Sequence, residues 1–344
     1  QSMRGVTTGS NNTALGKSSL QTSTANDNTA IGAFALKATT TGINNVGVGA
    51  SALYANTTGV RNTSIGAFSL DANTTGNYNS AVGHGALGGN TTGVNNAALG
   101  YGALENNTTG SHNSAFGVSA LQLNTANNNT GVGYKALFAN TTGSENVGVG
   151  ASALGANTTA SYNTAVGFRT LLSTTTGAQN TAVGAYALVS NTTTGNNTAV
   201  GTYTLTNNSG ADNTAVGRAS LYTNTTGAQN TAVGKDSLNA NTTGDYNTAV
   251  GQNALLVNTT GDNNTAVGRG ALDANTTADD NTALGYYALG ANTTGTENVA
   301  VGAYALDACV THNQHTAVGY NALSSVDGTG GNTAVGWHAM KDAT

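Results

Sequence analysis

The sequence predicts an all-β chain, a parallel β-solenoid or β-roll of about twenty 17-residue coils. Three observations carry that expectation. First, one phrase recurs from end to end: Asn62 to Tyr78 reads NTSIGAFSLDANTTGNY and Asn79 to Asn95 reads NSAVGHGALGGNTTGVN. The copies open at Asn12, Asn28, Asn45 and so on to His315 and Asn332. They are 17 residues apart except at Asn12 to Asn28, Asn113 to Asn129 and Asn197 to Asn213, where the step is 16. A fixed short period over a whole chain marks a stacked array. Second, the apolar residues keep fixed phases, which a disordered polar tract does not require. Third, the chain is rich in Gly, Asn and Thr, all poor helix formers, and has no 3.6-residue apolar stripe.

Each copy is numbered from its opening Asn. Position 4 is apolar throughout (Leu15, Ile31, Val48, Phe116), position 5 is always Gly, and position 9 is Leu until Met340 in the last copy. Val46-Gly-Val48 shows the alternation: positions 2 and 4 face one way and small position 3 the other, so a short strand is expected. The apolar side is assigned to the core. Positions 3 and 8, mostly Ala, are then free to let another chain approach. A second strand is expected over positions 8 to 11, with Leu at 9 inward and position 10 (Asp71, Glu105, Asp273, Asp307) outward.

Gly at position 5 supplies a turn conformation that other residues resist. The N-T-T-G segment at positions 12 to 15 is a second turn, since Asn and Gly tolerate positive φ. The 16-residue copies lose their residue between the Leu and the next opening Asn, as in Leu121-QLNTANN, where a loop absorbs it. Charges fall at positions 6, 7, 10, 16 and 17 and read as a solvated rim. Stacking predicts side-chain amide ladders, position 1 down one corner and position 12 down another. The domain reading is a partial first coil at 1–11, regular repeats at 12–314 and altered end coils at 315–344. The chain is already repeat-like at Val6-Thr-Thr-Gly9, so a processed chain or a segment of a longer one is expected.

Composition narrows the function classes. Only 7% of residues are charged, the net charge is −5, and no Lys/Arg cluster offers a nucleic-acid or anionic-membrane footprint. One cysteine, Cys309, excludes an intrachain disulfide framework. No apolar run approaches the roughly 20 residues of a spanning helix.

The N-T-A-V-G-x-x-A-L phrase resembles the head repeats of trimeric autotransporter adhesins. Their motif, N-S-V-A-I-G-x-x-S-x-A-x-G, lines up with Asn11-Asn-Thr-Ala-Leu-Gly16 and Asn44-Asn-Val-Gly-Val-Gly49. The phrase is also similar to Asn/Thr/Gly-rich arrays of phage tail fibres and bacterial surface fibres. The likeness runs from Asn12 to Lys341. It implies a left-handed parallel β-roll, three chains side by side, and an extracellular surface that binds host or matrix molecules. The family's head repeat is shorter; the extra length here is the N-T-T-G loop.

Candidate chemistry is sparse. Acidic residues are scattered over several phases of the rim. Gly47-Val-Gly49 and Gly131-Val-Gly133 lie inside strands, which does not suit a phosphate loop, and the repeat lacks the Asp of calcium-binding glycine repeats. Cys309, His312 and His315 have C-x2-H-x2-H spacing, with His338 one copy later. Zinc prefers four ligands in a structural site. The reading taken is an altered end copy, which also covers the lost N-T-T-G at Cys309-Val-Thr-His and Val326-Asp-Gly-Thr and the large Trp337 and Met340. The tyrosines occupy several phases (Tyr101 at 6, Tyr186 at 7, Tyr222 at 10, Tyr78 at 17) and read as scattered rim aromatics. Asn-Thr-Thr recurs from Asn56 to Asn292. Each copy matches the glycosylation acceptor pattern, and turn chemistry is the reading preferred over a glycan.

No catalytic, cofactor-binding or metal residue and no cofactor is assigned on this reading. The expected function is a structural and adhesive extracellular fibre segment, a spacer and contact surface of a cell-surface adhesin or phage-type fibre, and not an enzyme. Its partners are expected to be its own copies, as a homotrimer or end-to-end filament, and a host-surface glycan or matrix protein, with no nucleic acid and no membrane insertion. The alternatives are a self-assembling filament subunit, since open β edges recruit strands, and an ice-binding solenoid. Against the last, adjacent loop threonines such as Thr57-Thr58 cannot face the same way in a strand.

Overall fold

The computed structural model describes residues 8–325 and 330–341. It divides into two units, Gln1–Thr176 and Gly177–Thr344. Each is an all-β stack of parallel three-residue strands. The first holds β1 (Thr13–Leu15) to β10 (Thr164–Val166), and the second β11 (Thr181–Val183) to β20 (Thr333–Val335). Within each unit every strand pairs with the equivalent residues of the next coil. Thr63 is opposite Ser80 and Ile65 opposite Val82; Thr231 is opposite Thr248 and Val233 opposite Val250. The 17-residue period is therefore the coil, as the sequence predicts. The Val326-Asp-Gly-Thr loop lies outside the described residues, as do residues 1–7 of the first coil.

The strand faces the opposite way from the expectation. Position 3 is inside: Ala81, Ala115, Ala232 and Ala266 are 0% exposed. Positions 2 and 4 point outward, with Val82 37%, Leu99 50% and Phe116 42% exposed. The reason is the width of the coil. A methyl built on Gly47 would meet the Leu36 side chain and the Ala52 carbonyl oxygen, all at 3.3 Å. The strand thus packs directly on position 9 of the preceding coil and the position 8 backbone. Nothing larger than Ala or Ser fits beneath it, and Val is turned out. Ser64 fits because its hydroxyl donates to Ser69 O at 2.8 Å, leaving no buried donor unpaired.

The second strand does not form. Positions 6 to 11 are turns, and positions 8 and 9 are both buried, which alternation forbids. The cause is a recurrent left-handed backbone at positions 7 and 9. Leu70 has φ 47 and Leu238 φ 47, preceded by Phe68 at 57 and Asp236 at 56. A non-glycine in this region costs about 1–2 kcal/mol. The stack offsets that. Leu70 N donates to Ala86 O of the next coil at 3.0 Å, and the Leu side chain is wholly buried. Position 5 requires Gly twice over. Gly234 has φ +139, and a methyl there would lie 2.5 Å from Gly251 O of the next coil.

The 16-residue copies keep full strand register, with Ser114 opposite Thr130 and Thr198 opposite Thr214. Their missing residue comes from the N-T-T-G turn. Asn124 Nδ2 reaches Ala126 O two residues on, whereas Asn56 Nδ2 reaches Gly59 O three residues on.

Candidate functional site

Three features of the surface and corners are built by this coil: an outward strand face, an aromatic edge, and a corner where side-chain amides converge.

The corner is the most regular. At position 1, the Asn62 backbone N–H donates to Asn45 Oδ1 at 2.9 Å, and its Nδ2 donates to Gly76 O at 2.8 Å. At position 12, Asn73 Nδ2 donates to Asn56 Oδ1 at 2.9 Å and to the same Gly76 O at 3.1 Å. Both ladders form, but they share one corner instead of two, because the position 15 carbonyl receives a bond from each. The amide nitrogens of the Asn-Thr-Thr segments lie inside this corner; Asn56, Asn73, Asn241 and Asn292 are 0% exposed. A glycan on such a nitrogen takes the place of one of its two donated hydrogens and so breaks one of these bonds.

The aromatic edge was missed as a feature because its members lie at different phases. The turn brings positions 6, 7 and 10 side by side. His84 stacks on Tyr101 at 5.5 Å with Phe68 edge-on at 5.6 Å. In the second unit Tyr186 stacks on Tyr203 at 5.3 Å and 7°, and Tyr203 meets Tyr222 at 6.4 Å. A longer run links Tyr286, Tyr287, Tyr304, Tyr320 and His338, and His338 packs on Trp337 at 4.0 Å. Partial desolvation, and after it contact with the Tyr286 phenol, raises the Tyr304 pKa above its ordinary value.

The outward face carries Thr, Ser, Ala or Val at position 2 and an apolar residue at position 4 on every strand. Its size signal was available in the sequence. Position 3 never exceeds Ser or Ala, while position 4 ranges from Val to Phe116. Only an interior of fixed width restricts one and not the other.

Position 10 is half-buried where it was expected to be solvated rim. Desolvation raises the carboxyl pKa of Asp71 and Asp273 above the ordinary 3.8, partly offset by backbone N–H donors.

Cys309, His312 and His315 do come together: one ligand atom from each lies within 4.8 Å of the others. His338 is elsewhere, on the aromatic edge. Cys309 and His315 are 0% exposed. Burial pushes the thiol pKa up, against a weak bond from Sγ to His312 O at 3.7 Å, and pushes the His315 pKa down, helped by His312.

Compared with models of known protein families and with curated protein sequences, the chain matches none. No helix among the described residues is long and apolar enough to cross a membrane.

Proposed function

We propose that this chain is a structural and adhesive segment of an extracellular fibre, assembled from copies of itself lying side by side as a homotrimer. The observation that carries the reading is the outward row at position 4. In each unit ten successive strands turn a Val, Ile, Leu or Phe to solvent in register. Soluble monomers rarely leave a contiguous apolar surface of that kind uncovered. The meeting face is then positions 2 and 4; the small residues at positions 3 and 8 are inside the coil and unavailable. The aromatic edge, with Tyr320 44% and Trp337 76% exposed, is the surface on which a host glycan ring or a matrix protein would stack.

The test is solution mass by light scattering. The expected value is three times 33.9 kDa. A folded chain at 33.9 kDa at its highest soluble concentration overturns the trimer. Val200→Lys with Val250→Lys puts charges on the outward row, and is expected to dissociate the assembly without unfolding it.

A second reading has a specific observation in its favour. Thr at position 2 and Val at position 4 are two residues apart on one strand and so face outward together, in a regular array such as an ice-binding face needs. This array is formed by the strand threonines at position 2, not by the loop threonines. The two readings compete for the same face. Thermal hysteresis from a monomer selects the second; a trimer that buries the row removes it.

A further inference from the structure

The amide corner is altered in several copies, and in one of them all three of its places change together. In an ordinary coil, a methyl built on Gly244 at position 15 would lie 2.6 Å from Asn241 Oδ1 at position 12 and 3.1 Å from Asn247 Nδ2, which opens the next copy. A side chain at position 15 therefore points between those two amides. In the copy that opens at Asn298, these three places hold Cys309, His312 and His315. Cys309 is the one cysteine of the chain, and His315 is the one copy-opening residue that is not Asn. Three residues that touch one another are replaced together, and each replacement is a metal ligand.

The replacements leave buried donors and acceptors without partners. His315 Nδ1 does the work of the missing Asn oxygen, accepting the Asn332 backbone N–H at 3.2 Å. Its other nitrogen, Nε2, is buried with no hydrogen-bond partner, and so is His312 Nδ1. Native interiors rarely leave such atoms unmet, and when they do the cause is often an ion or water.

We propose that Cys309, His312 and His315 bind one borderline-soft divalent metal ion, Zn2+ by its liking for thiolate and imidazole together. Zn–S of about 2.3 Å and Zn–N of about 2.0–2.1 Å put tetrahedral ligand atoms about 3.5 Å apart. Atoms already within 4.8 Å reach that spacing by small side-chain rotations. Binding releases the Cys309 proton to solvent. At His315 a metal on Nε2 moves the ring proton to Nδ1, so loading exchanges the Asn332 bond for the metal bond. No electron transfer is involved, and the fourth position is left to water. The three ligands lie within seven consecutive residues, so the ion ties one corner of the coil together where the amide ladder is interrupted.

The test uses the full chain, stripped with chelator and titrated with Co2+. One equivalent is expected to bind, with thiolate-to-cobalt charge-transfer absorption that Zn2+ abolishes by displacement. The control variant is Cys309→Asn with His312→Gly and His315→Asn. It restores the side chains of the ordinary corner, as at Asn241, Gly244 and Asn247, and so keeps the ladder. It is expected to lose the absorption and to bind more than about tenfold more weakly. Cys309→Ser serves as a second, near-isosteric variant. Zn2+ is expected to raise the melting temperature of the natural chain and not of either variant. Absence of the charge-transfer band from folded natural chain in excess Co2+ overturns the proposal, as does equal binding by the triple variant.

Discussion

An interior coil of the second unit and its final coils are written in nearly the same letters but are held differently. Around Asn247 every buried polar group has a partner: its Nδ2 donates to Gly261 O at 2.8 Å, and its Oδ1 accepts the Asn264 backbone N–H at 2.9 Å and Asn264 Nδ2 at 3.1 Å. Around His315 the ladder is carried by one ring nitrogen and the other is orphaned. Gly234 is pressed against the next coil, whereas Gly336 has only the Ala339 methyl, 3.7 Å from the methyl it would carry. The difference shows how much of each residue's constraint comes from the coil stacked above it. A repeat residue is not fixed by its own turn alone; it is fixed by having a neighbour one period away.

The largest test of that statement is at position 5. Gly234→Ala meets both a left-handed φ and a backbone oxygen at 2.5 Å, and is expected to destabilise the unit by more than about 3 kcal/mol. Gly336→Ala has φ +133 and no such oxygen, so only the conformational part remains, about 1–2 kcal/mol. Denaturant unfolding of the two variants measures both. Equal losses would mean that backbone conformation alone sets the requirement for Gly.

Next in size is the amide corner. Asn247→Ala removes three hydrogen bonds and leaves the buried Asn264 N–H without an acceptor, an expected loss of about 2–4 kcal/mol. His315→Asn goes the other way. In chelator it returns the ladder oxygen and removes the orphaned Nε2, so a gain of about 1 kcal/mol is expected. With saturating Zn2+ the gain is expected to shrink or reverse, because the natural chain then has its ion. A gain unchanged by Zn2+ would separate the corner's stability from metal binding.

Much of this was legible in the sequence, and the part that was not has one cause. The period, the parallel stacking, the place of the 16-residue deletions and the Asn ladders follow from repetition itself, because equivalent residues must lie one above another. Contacts within a coil do not follow from repetition. Alternation at Thr231-Ala-Val233 tells which residues share a face, not which face is inside. That depended on Leu at position 9 filling the interior, which in turn depended on Leu accepting a left-handed backbone that its residue type disfavours. The second strand failed for the same reason. The Cys309, His312 and His315 spacing was visible, but its convergence was not, since it depends on how the chain turns through that corner. The aromatic edge was hidden likewise: positions 6, 7 and 10 look scattered until the turn folds them together.

The smallest expected effect is electrostatic and again turns on the neighbouring coil. Asp71 and Asp273 stand at position 10 between stacked coils, half-buried, with carboxyl pKa values raised mainly by desolvation. The same position in the last copy is the exposed Lys341. A raised folded-state pKa means that the folded chain binds the proton more tightly than the unfolded one. The stability from that preference is complete below the unfolded value, near 3.8, and is lost as pH rises through the folded value. At neutral pH each aspartate therefore weakens the stack relative to a neutral group of the same shape. Asp273→Asn is expected to raise the neutral-pH melting temperature slightly and to change nothing near pH 3, where the natural side chain is already protonated. Surface exposure keeps the effect small. Melting curves at the two pH values decide it. A gain as large in acid as at neutrality would show that the amide acts through a new hydrogen bond, and that the cover supplied by the next coil is not what moves the aspartate.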